Sequence, residues 1–428
     1  MLSLPSRNSY RFIGALVPLL VLSAVSIAQG SASRLATLSA ALNSTSLTDQ
    51  AHIDTPQARA ANSLAEQLIQ QGRETGDLHY YVKAKATVDA ALKAAPTDSK
   101  TLRNAAWVAT IFHRFEDAVR YATIATVVDP HNASAFGVLS DAYLESGRYE
   151  DAEDAAQSML DLKPSTDSYS RGAHLLWLRG ETSGAMALMG QAGSAAQAGS
   201  EAEAWCSVQL ADMLLKTGQL EKSGALCQDV LRHRPNYRFA HAGLGRVALC
   251  HGDLQTAIAC FERATSCTSP LLSNLLELEQ LYGASKESEK ATAVASRIRL
   301  LAEQHQALGF SGDEITVALL HAARHEKLAD AIRLVATEAK VHRTTEAYAA
   351  YAWVLYLGGC ELDAAEIAPK ALQGGIQDPL VLARMSTILA AANDLEQAAT
   401  LRETAWKLSP AYCDAYHGRS GPAIALAY

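Results

Sequence analysis

The sequence predicts an all-α solenoid, and three observations predict it. Prolines recur at a near-constant interval: Pro96, Pro130 and Pro164 are 34 residues apart and Pro235 and Pro270 are 35 apart. The longer gaps, 71 from Pro164 to Pro235 and 140 from Pro270 to Pro410, equal two and four such intervals to within a few residues, as a tandem helix–turn–helix unit requires. Between the prolines, apolar residues recur with helical spacing and stop at glycines. Only 26 Gly and 12 Pro interrupt 428 residues, and aromatics at 6% are sparse for a sandwich or barrel. Hydrophobic content of 49% with 19% charge suffices for a packed core and excludes general disorder. The net charge of −8, from 37 basic and 45 acidic residues, argues against a nucleic-acid partner, because phosphates call for a basic excess.

The chain opens on Arg7 and Arg11, followed by an uncharged run from Phe12 to Ala28 with Leu16, Val17, Leu19, Leu20, Val21 and Leu22. It closes on Ser26-Ile27-Ala28, a small-x-small cleavage site before Gln29. Residues 1–28 therefore read as a signal peptide, and the protein as exported, periplasmic or extracellular. The alternative is an uncleaved anchor over residues 12–28, the chain's one membrane contact, although 17 uncharged residues broken by Pro18 are short for a bilayer helix of about 20. Loss of the leader takes two positive charges and no negative ones, so −8 becomes −10. Residues 29–57, rich in Ser, Ala and Thr, read as a linker.

Residues 133–166 show the unit. Phe136, Leu139, Ser140 and Tyr143 form one helical face, and Gly147 ends that helix. Ala152, Ala156, Met159 and Leu160 form a second face, which Pro164 closes. Neither stripe is buried by its own helix, so each pair needs neighbours.

These residues resemble the tetratricopeptide repeat family. Residues 99–132 match its pattern at Leu102, Ala105, Ala106, Phe115, Ala118, Ala125 and Pro130; residues 238–271 at Leu244, Gly245, Gly252, Leu254, Ala257, Phe261 and Ala264; residues 379–412 at Leu382, Met385, Leu389, Leu395, Ala398, Ala405, Leu408 and Pro410. Weaker units begin near Ala65, Thr166, Ala204, Leu272, Gly312 and Thr345. The resemblance implies a right-handed superhelix of about ten units.

Departures from the pattern suggest its divisions. Gly190, Gly193 and Gly199 are expected to end the second helix of the unit from Thr166 early and to make Gly193–Gly199 a joint, giving an N-terminal sub-array over residues 58–199 and a C-terminal one over 200–412. Gln304 to Gly312 is extra sequence, expected as a longer helix or a second break, and Pro369 is expected to kink a second helix. Residues 413–428 read as an irregular tail that leaves the last repeat uncapped, open to self-association.

The resemblance also implies that first helices line a concave groove. Carried onto this chain, its groove positions hold Arg73, Arg103, Trp107, Asp141, His174, Trp177, Asp212, Arg246, Trp353 and Tyr356. Aromatic and arginine side chains suit peptide capture. Trp205 and Phe239 fall there too, with packing between repeats an equal alternative. The family's clamp for C-terminal carboxylates is absent from this set.

Chemistry is sparse. His321 and His325 stand four apart, a metal-capable spacing, but the glutamate of HExxH is missing; two histidines on a solvated helix face are the plainer reading. Phosphate-binding loops and GxSxG are absent. Seven cysteines without CxxC spacing read mainly as small apolar residues, one disulfide remaining open in an exported chain. Asn43 and Asn132 begin glycosylation sequons. No cofactor, metal or catalytic residue is expected. The functional expectation is a non-enzymatic, exported scaffold binding a protein or peptide segment in its groove. One alternative is a periplasmic assembly factor for an outer-membrane or exopolysaccharide export machine; another is a metal-dependent enzyme using His321 and His325 on a solenoid frame.

Overall fold

The computed structural model describes residues 56–267 and 269–417. The leader, most of the linker, the Asn43 sequon and residues 418–428 of the tail lie outside them. Among the described residues the fold is all-α: ten antiparallel helix pairs followed by one short helix. The pairs are α1 (Pro56–Thr75) with α2 (His79–Ala94), α3 (Ser99–Ile111) with α4 (Phe115–Val128), α5 (Ala133–Glu145) with α6 (Tyr149–Leu162), α7 (Thr166–Leu178) with α8 (Thr182–Ala195), and α9 (Glu201–Lys216) with α10 (Leu220–His233). They continue as α11 (Arg238–Cys250) with α12 (Leu254–Ala264), α13 (Leu272–Ala284) with α14 (Ser288–Ala307), α15 (Glu314–Ala323) with α16 (Leu328–Val341), α17 (Thr345–Leu357) with α18 (Glu361–Ala371), and α19 (Pro379–Ala391) with α20 (Leu395–Leu408). The last helix is α21, Pro410–Tyr416.

Local chemistry sets the helix ends. Asp98, Asn132, Ser200 and Thr344 each accept a backbone N–H of the first turn that follows, in α3, α5, α9 and α17, satisfying donors the helix leaves free. Ser165 and Ser168 make a reciprocal capping box at α7. Asp378 does the same work for α19, with Pro379 at the first helical position. Within pairs, alanines meet the partner helix: Ala118, Ala152, Ala185, Ala257, Ala331 and Ala364 are fully buried. Ser140 adds a hydrogen bond, its hydroxyl donating to the Ala152 carbonyl at 2.8 Å.

The extra residues 304–312 extend α14 to 20 residues and then turn through Leu308–Asp313. Pro369 lies inside α18, which ends two residues later and passes into a 3-10 turn at Gln373–Gly375; the pair survives. Helix α8 does not end early: it runs 14 residues through Gly190 and Gly193 to Ala195, as long as α4 and α6, because its Ala185, Met189 and Ala192 are buried in the pair. Only the short segment 196–200 then intervenes, and α8 and α9 pack directly.

The solenoid curls until its successive turns touch. Five turns joining a first helix to its second meet four inter-pair turns and the α20–α21 turn, five to six pairs further on. Gly76 lies against Arg238 and the Ser269 carbonyl. Phe112 stacks on Phe310. The Arg343 N–H donates to the Glu145 carbonyl at 3.1 Å, and the Thr345 N–H to the Tyr149 hydroxyl at 2.9 Å. Gly180 faces the Gly375 carbonyl. The Ser409 hydroxyl donates to the Leu215 carbonyl at 3.0 Å. Gly147 and Gly180 serve twice here, because each holds a positive φ, 74° and 75°, and a Cβ would stand 2.6 Å from the Arg343 carbonyl oxygen or 2.3 Å from that of Gly375.

The C-terminal end differs from expectation. Residues 410–416 form α21 rather than irregular chain, with Tyr412, Cys413 and Tyr416 buried. It packs on α11, α19 and α20, so the last pair is covered by the chain itself. The sequence signal failed because α21 is short and takes its partner, α11, from far back in the chain.

Candidate functional site

The first helices of the first five pairs share one concavity, a cavity of about 500 Å³. Arg73 reaches it from α1, Trp107 from α3, Asp141 from α5, His174 from α7, and Trp205 from α9. Successive pairs repeat the same orientation, so residues far apart in sequence converge on one wall. The Arg171 guanidinium grips the Asp141 carboxylate through two N–H donors at 2.8 and 2.7 Å, a geometry suited to a planar carboxylate. Arg73 lies 3.7 Å from Glu201. Burial, opposed by His342, pushes the Glu145 carboxyl up to about 7, and Glu145 lines the same wall. The cavity thus combines two indole rings with Arg73 and Arg171 on one side of the charge balance and Asp141, Glu145 and Asp167 on the other.

Other expected groove residues are occupied elsewhere. Arg103 pairs with Glu66. Asp212 pairs with Lys216 at 3.1 Å, and Lys216 reaches across to Asp378 at 3.0 Å. Arg246 binds Glu277 at 2.6 Å, where the Tyr416 hydroxyl also donates at 2.9 Å. These ions join α9, α11, α13, α19 and α21, and they serve the contact between turns.

Two tryptophans correct the expectation of groove exposure: Trp177 and Trp353 are each only 7% exposed. Trp177 shares a core cluster with Ala173, Ala185 and Met189, where alanines leave room that an indole fills. Trp353 lies in the core with Tyr356 stacked on it at 5.2 Å and the Arg384 guanidinium 4.9 Å over its ring. Phe239 is half-buried beside Tyr237, 5.3 Å between rings, against the core of α9–α11.

The His321–His325 pair is not brought together. Helix α15 ends at Ala323, and His325 takes φ 51° in the turn beyond it. His321 is buried and His325 exposed, so the four-residue spacing does not span a helical turn. All seven cysteines are free thiols, and burial holds those of Cys227, Cys250 and Cys413 up at about 12, as befits inert packing groups.

A second cluster, unforeseen in the sequence, lies where the turns meet. One ligand atom each from His113, Glu338 and His342 lies within 4.8 Å of the others. His113 follows α3, and the other two end α16. The His113 and His342 rings meet edge to face at 4.4 Å. Burial, reinforced by the neighbouring His342, pulls the His113 imidazole down to about 4. His113 occupies the left-handed turn position, φ 54°, that glycine fills in six other turns and Lys286, His325 and Asn393 fill in three.

A family model described as a tetratricopeptide repeat matches residues 112–166, the stretch from the end of α3 to the start of α7. Solved structures share the repeat architecture at low identity. A tetratricopeptide repeat protein from Parabacteroides merdae is 16% identical, over 60% of this chain and 99% of that one, with a TM-score of 0.42. A thermophilic TPR protein of Thermus thermophilus, TTC0263, is 20% identical over 45% of this chain and 99% of its own, with a TM-score of 0.40. The human IFIT1 dimer with m7Gppp-AAAA is 16% identical over 69% of this chain and 68% of its own, with a TM-score of 0.45. No curated protein matches the sequence.

Proposed function

We propose that this protein is an exported, non-enzymatic scaffold that holds an extended peptide or protein segment in the cavity of its first five pairs. The observation that carries the reading is the convergence of Trp107 and Trp205 with Arg73 on one cavity of about 500 Å³, against a wall fixed by the Arg171–Asp141 pair. Indoles supply rigid contact area at small entropic cost, and guanidiniums supply directed donors. The carboxylates of Asp167 and Glu145 on the same wall favour a peptide, whose backbone N–H groups and cationic side chains they accept, over a polyphosphate. Export rests on the leader of residues 1–28, with cleavage before Gln29.

Pull-down from the envelope of the producing cell tests the site. A partner recovered by the wild type and lost by Trp107→Ala and Trp205→Ala supports the cavity; undiminished recovery by both variants overturns it. N-terminal sequencing of the secreted chain tests export, with Gln29 the expected first residue.

A further inference from the structure

We propose that His113, Glu338 and His342 form a divalent transition-metal site, of the zinc class, that fastens two turns of the superhelix together. The donors come from pairs far apart in sequence: His113 follows α3, whereas Glu338 and His342 end α16. Two imidazole nitrogens and one carboxylate oxygen are a recurrent zinc set, and softer thiolates are absent from the cluster. A tetrahedral zinc site spaces its donors about 3.3 Å apart, so the observed spacing closes by small side-chain rotations.

The surroundings behave as a built site. The His113 Nδ1 is buried without a hydrogen-bond partner, an expense a protein ordinarily avoids. The ring is held against Phe115 at 5.5 Å. Facing it is Gly312, where a Cβ would stand 2.1 Å from the ring, so only glycine leaves the imidazole its place. His113 itself keeps a left-handed backbone, φ 54°, which costs a non-glycine residue about 1–2 kcal/mol.

His342 completes the arrangement. Its Nδ1 contacts Glu338, while its Nε2 faces Glu145 at 3.7 Å. An imidazole that gives one nitrogen to a metal and points the other N–H at a carboxylate is the ordinary supporting arrangement around zinc. A cleft of about 350 Å³, lined by His113, Arg114, Phe115, Lys340 and Arg343, reaches the cluster from outside at His113 and gives it an entry path.

The test uses the full chain, stripped of metal with a chelator, dialysed and titrated with zinc chloride against a competing chromophoric chelator. One equivalent is expected to bind, with His342→Ala and His113→Gly weaker by on the order of 100-fold and Glu145→Gln by about 10-fold. His113→Gly separates loss of the ligand from loss of the fold, because glycine suits this backbone and far-UV circular dichroism should stay fully helical. Cobalt substituted for zinc should show tetrahedral visible bands that vanish in His113→Gly. Zinc should also slow amide exchange across residues 338–343 in the wild type alone. Absence of uptake, or uptake undiminished in both His113→Gly and His342→Ala, overturns the proposal.

Discussion

The Phe112 ring, at the end of α3, stacks on the Phe310 ring from the turn after α14, with 4.4 Å between centroids and 21° between planes. Tyr81 meets Phe310 from the other side at 6.3 Å. The extra residues after α14 thus deliver one aromatic side chain onto the first two pairs, and Phe310 works as a strut between turns. Phe310→Ala should cost about 2 kcal/mol, less than the loss of a fully buried Phe because the ring is only partly buried. The damage should fall on the contact rather than on either pair. Scattering should show a larger radius of gyration with helical content unchanged.

Two glycines with the same backbone provide a matched comparison. Gly180 and Gly252 have φ of 75° and 77°, so alanine at either costs about 1 kcal/mol in backbone strain. Beyond Gly252 nothing lies within 4 Å, whereas at Gly180 the new methyl would meet the Gly375 carbonyl oxygen at 2.3 Å. Gly180→Ala should therefore destabilise by about 1–3 kcal/mol more than Gly252→Ala, measured by denaturant unfolding of the two variants in parallel.

Trp177 and Trp107 should separate stability from binding. Trp177→Ala opens a void between Ala173, Ala185 and Met189 and should cost about 3–5 kcal/mol. Trp107 is half-buried and lines the cavity, so Trp107→Ala should cost less in thermal stability and more in partner recovery. The opposite ranking would return Trp177 to the groove.

Tyr416 reports on α21. Its hydroxyl donates to Glu277 at 2.9 Å, and Glu277 is only 2% exposed. Tyr416→Phe leaves Arg246 as that carboxylate's main support and should cost about 1–2 kcal/mol. Calorimetry of the full chain reads the change.

Acid should loosen the same end. Burial, helped by the Arg384 and Arg402 charges, pulls the His417 imidazole down to about 4, against about 6.5 in an unfolded chain. Above pH 6.5 the ring is neutral in both states and the shift costs nothing. Between about pH 6.5 and 4 the unfolded chain takes up a proton that the folded ring refuses, so stability falls as the pH falls, by about 3 kcal/mol at the lower limit. Glu145, raised to about 7, works in the opposite sense over the same range, since its folded form holds a proton more tightly. The difference between wild type and His417→Asn isolates the histidine: the variant should show a shallower loss of stability between pH 7 and 4.5.

The helix pairs were legible because their signals are local. Ala152 against Ser140, Pro164 after α6 and Gly147 after α5 all act within one unit, and a 34-residue ruler reads them. The contacts between turns were illegible for the converse reason: Gly180 shows nothing about Gly375, nor His113 about His342, until the superhelix has closed its first revolution. The cavity was half legible. Arg73, Trp107, Asp141 and His174 occupy it, but Asp212 pairs with Lys216 on its own helix and Arg246 with Glu277 on the adjacent pair, and their partners Lys216 and Glu277 are the ones that reach the next turn, at Asp378 and Tyr416. Trp177 misled because its ring fills space left by alanines on two other helices, a volume that no positional pattern contains.

The seam changes what an end means in this molecule. In a linear stack the terminal units have one neighbour each and peel away first. Here the first pair leans on α9 and α11 through Arg73 with Glu201 and Gly76 with Arg238, and the last helix leans on the same two through Ser409 with Leu215 and its packing on α11. Among the described residues, both ends of the array are moored to its middle, so within the array thermal fluctuations have no singly packed terminal pair from which to start.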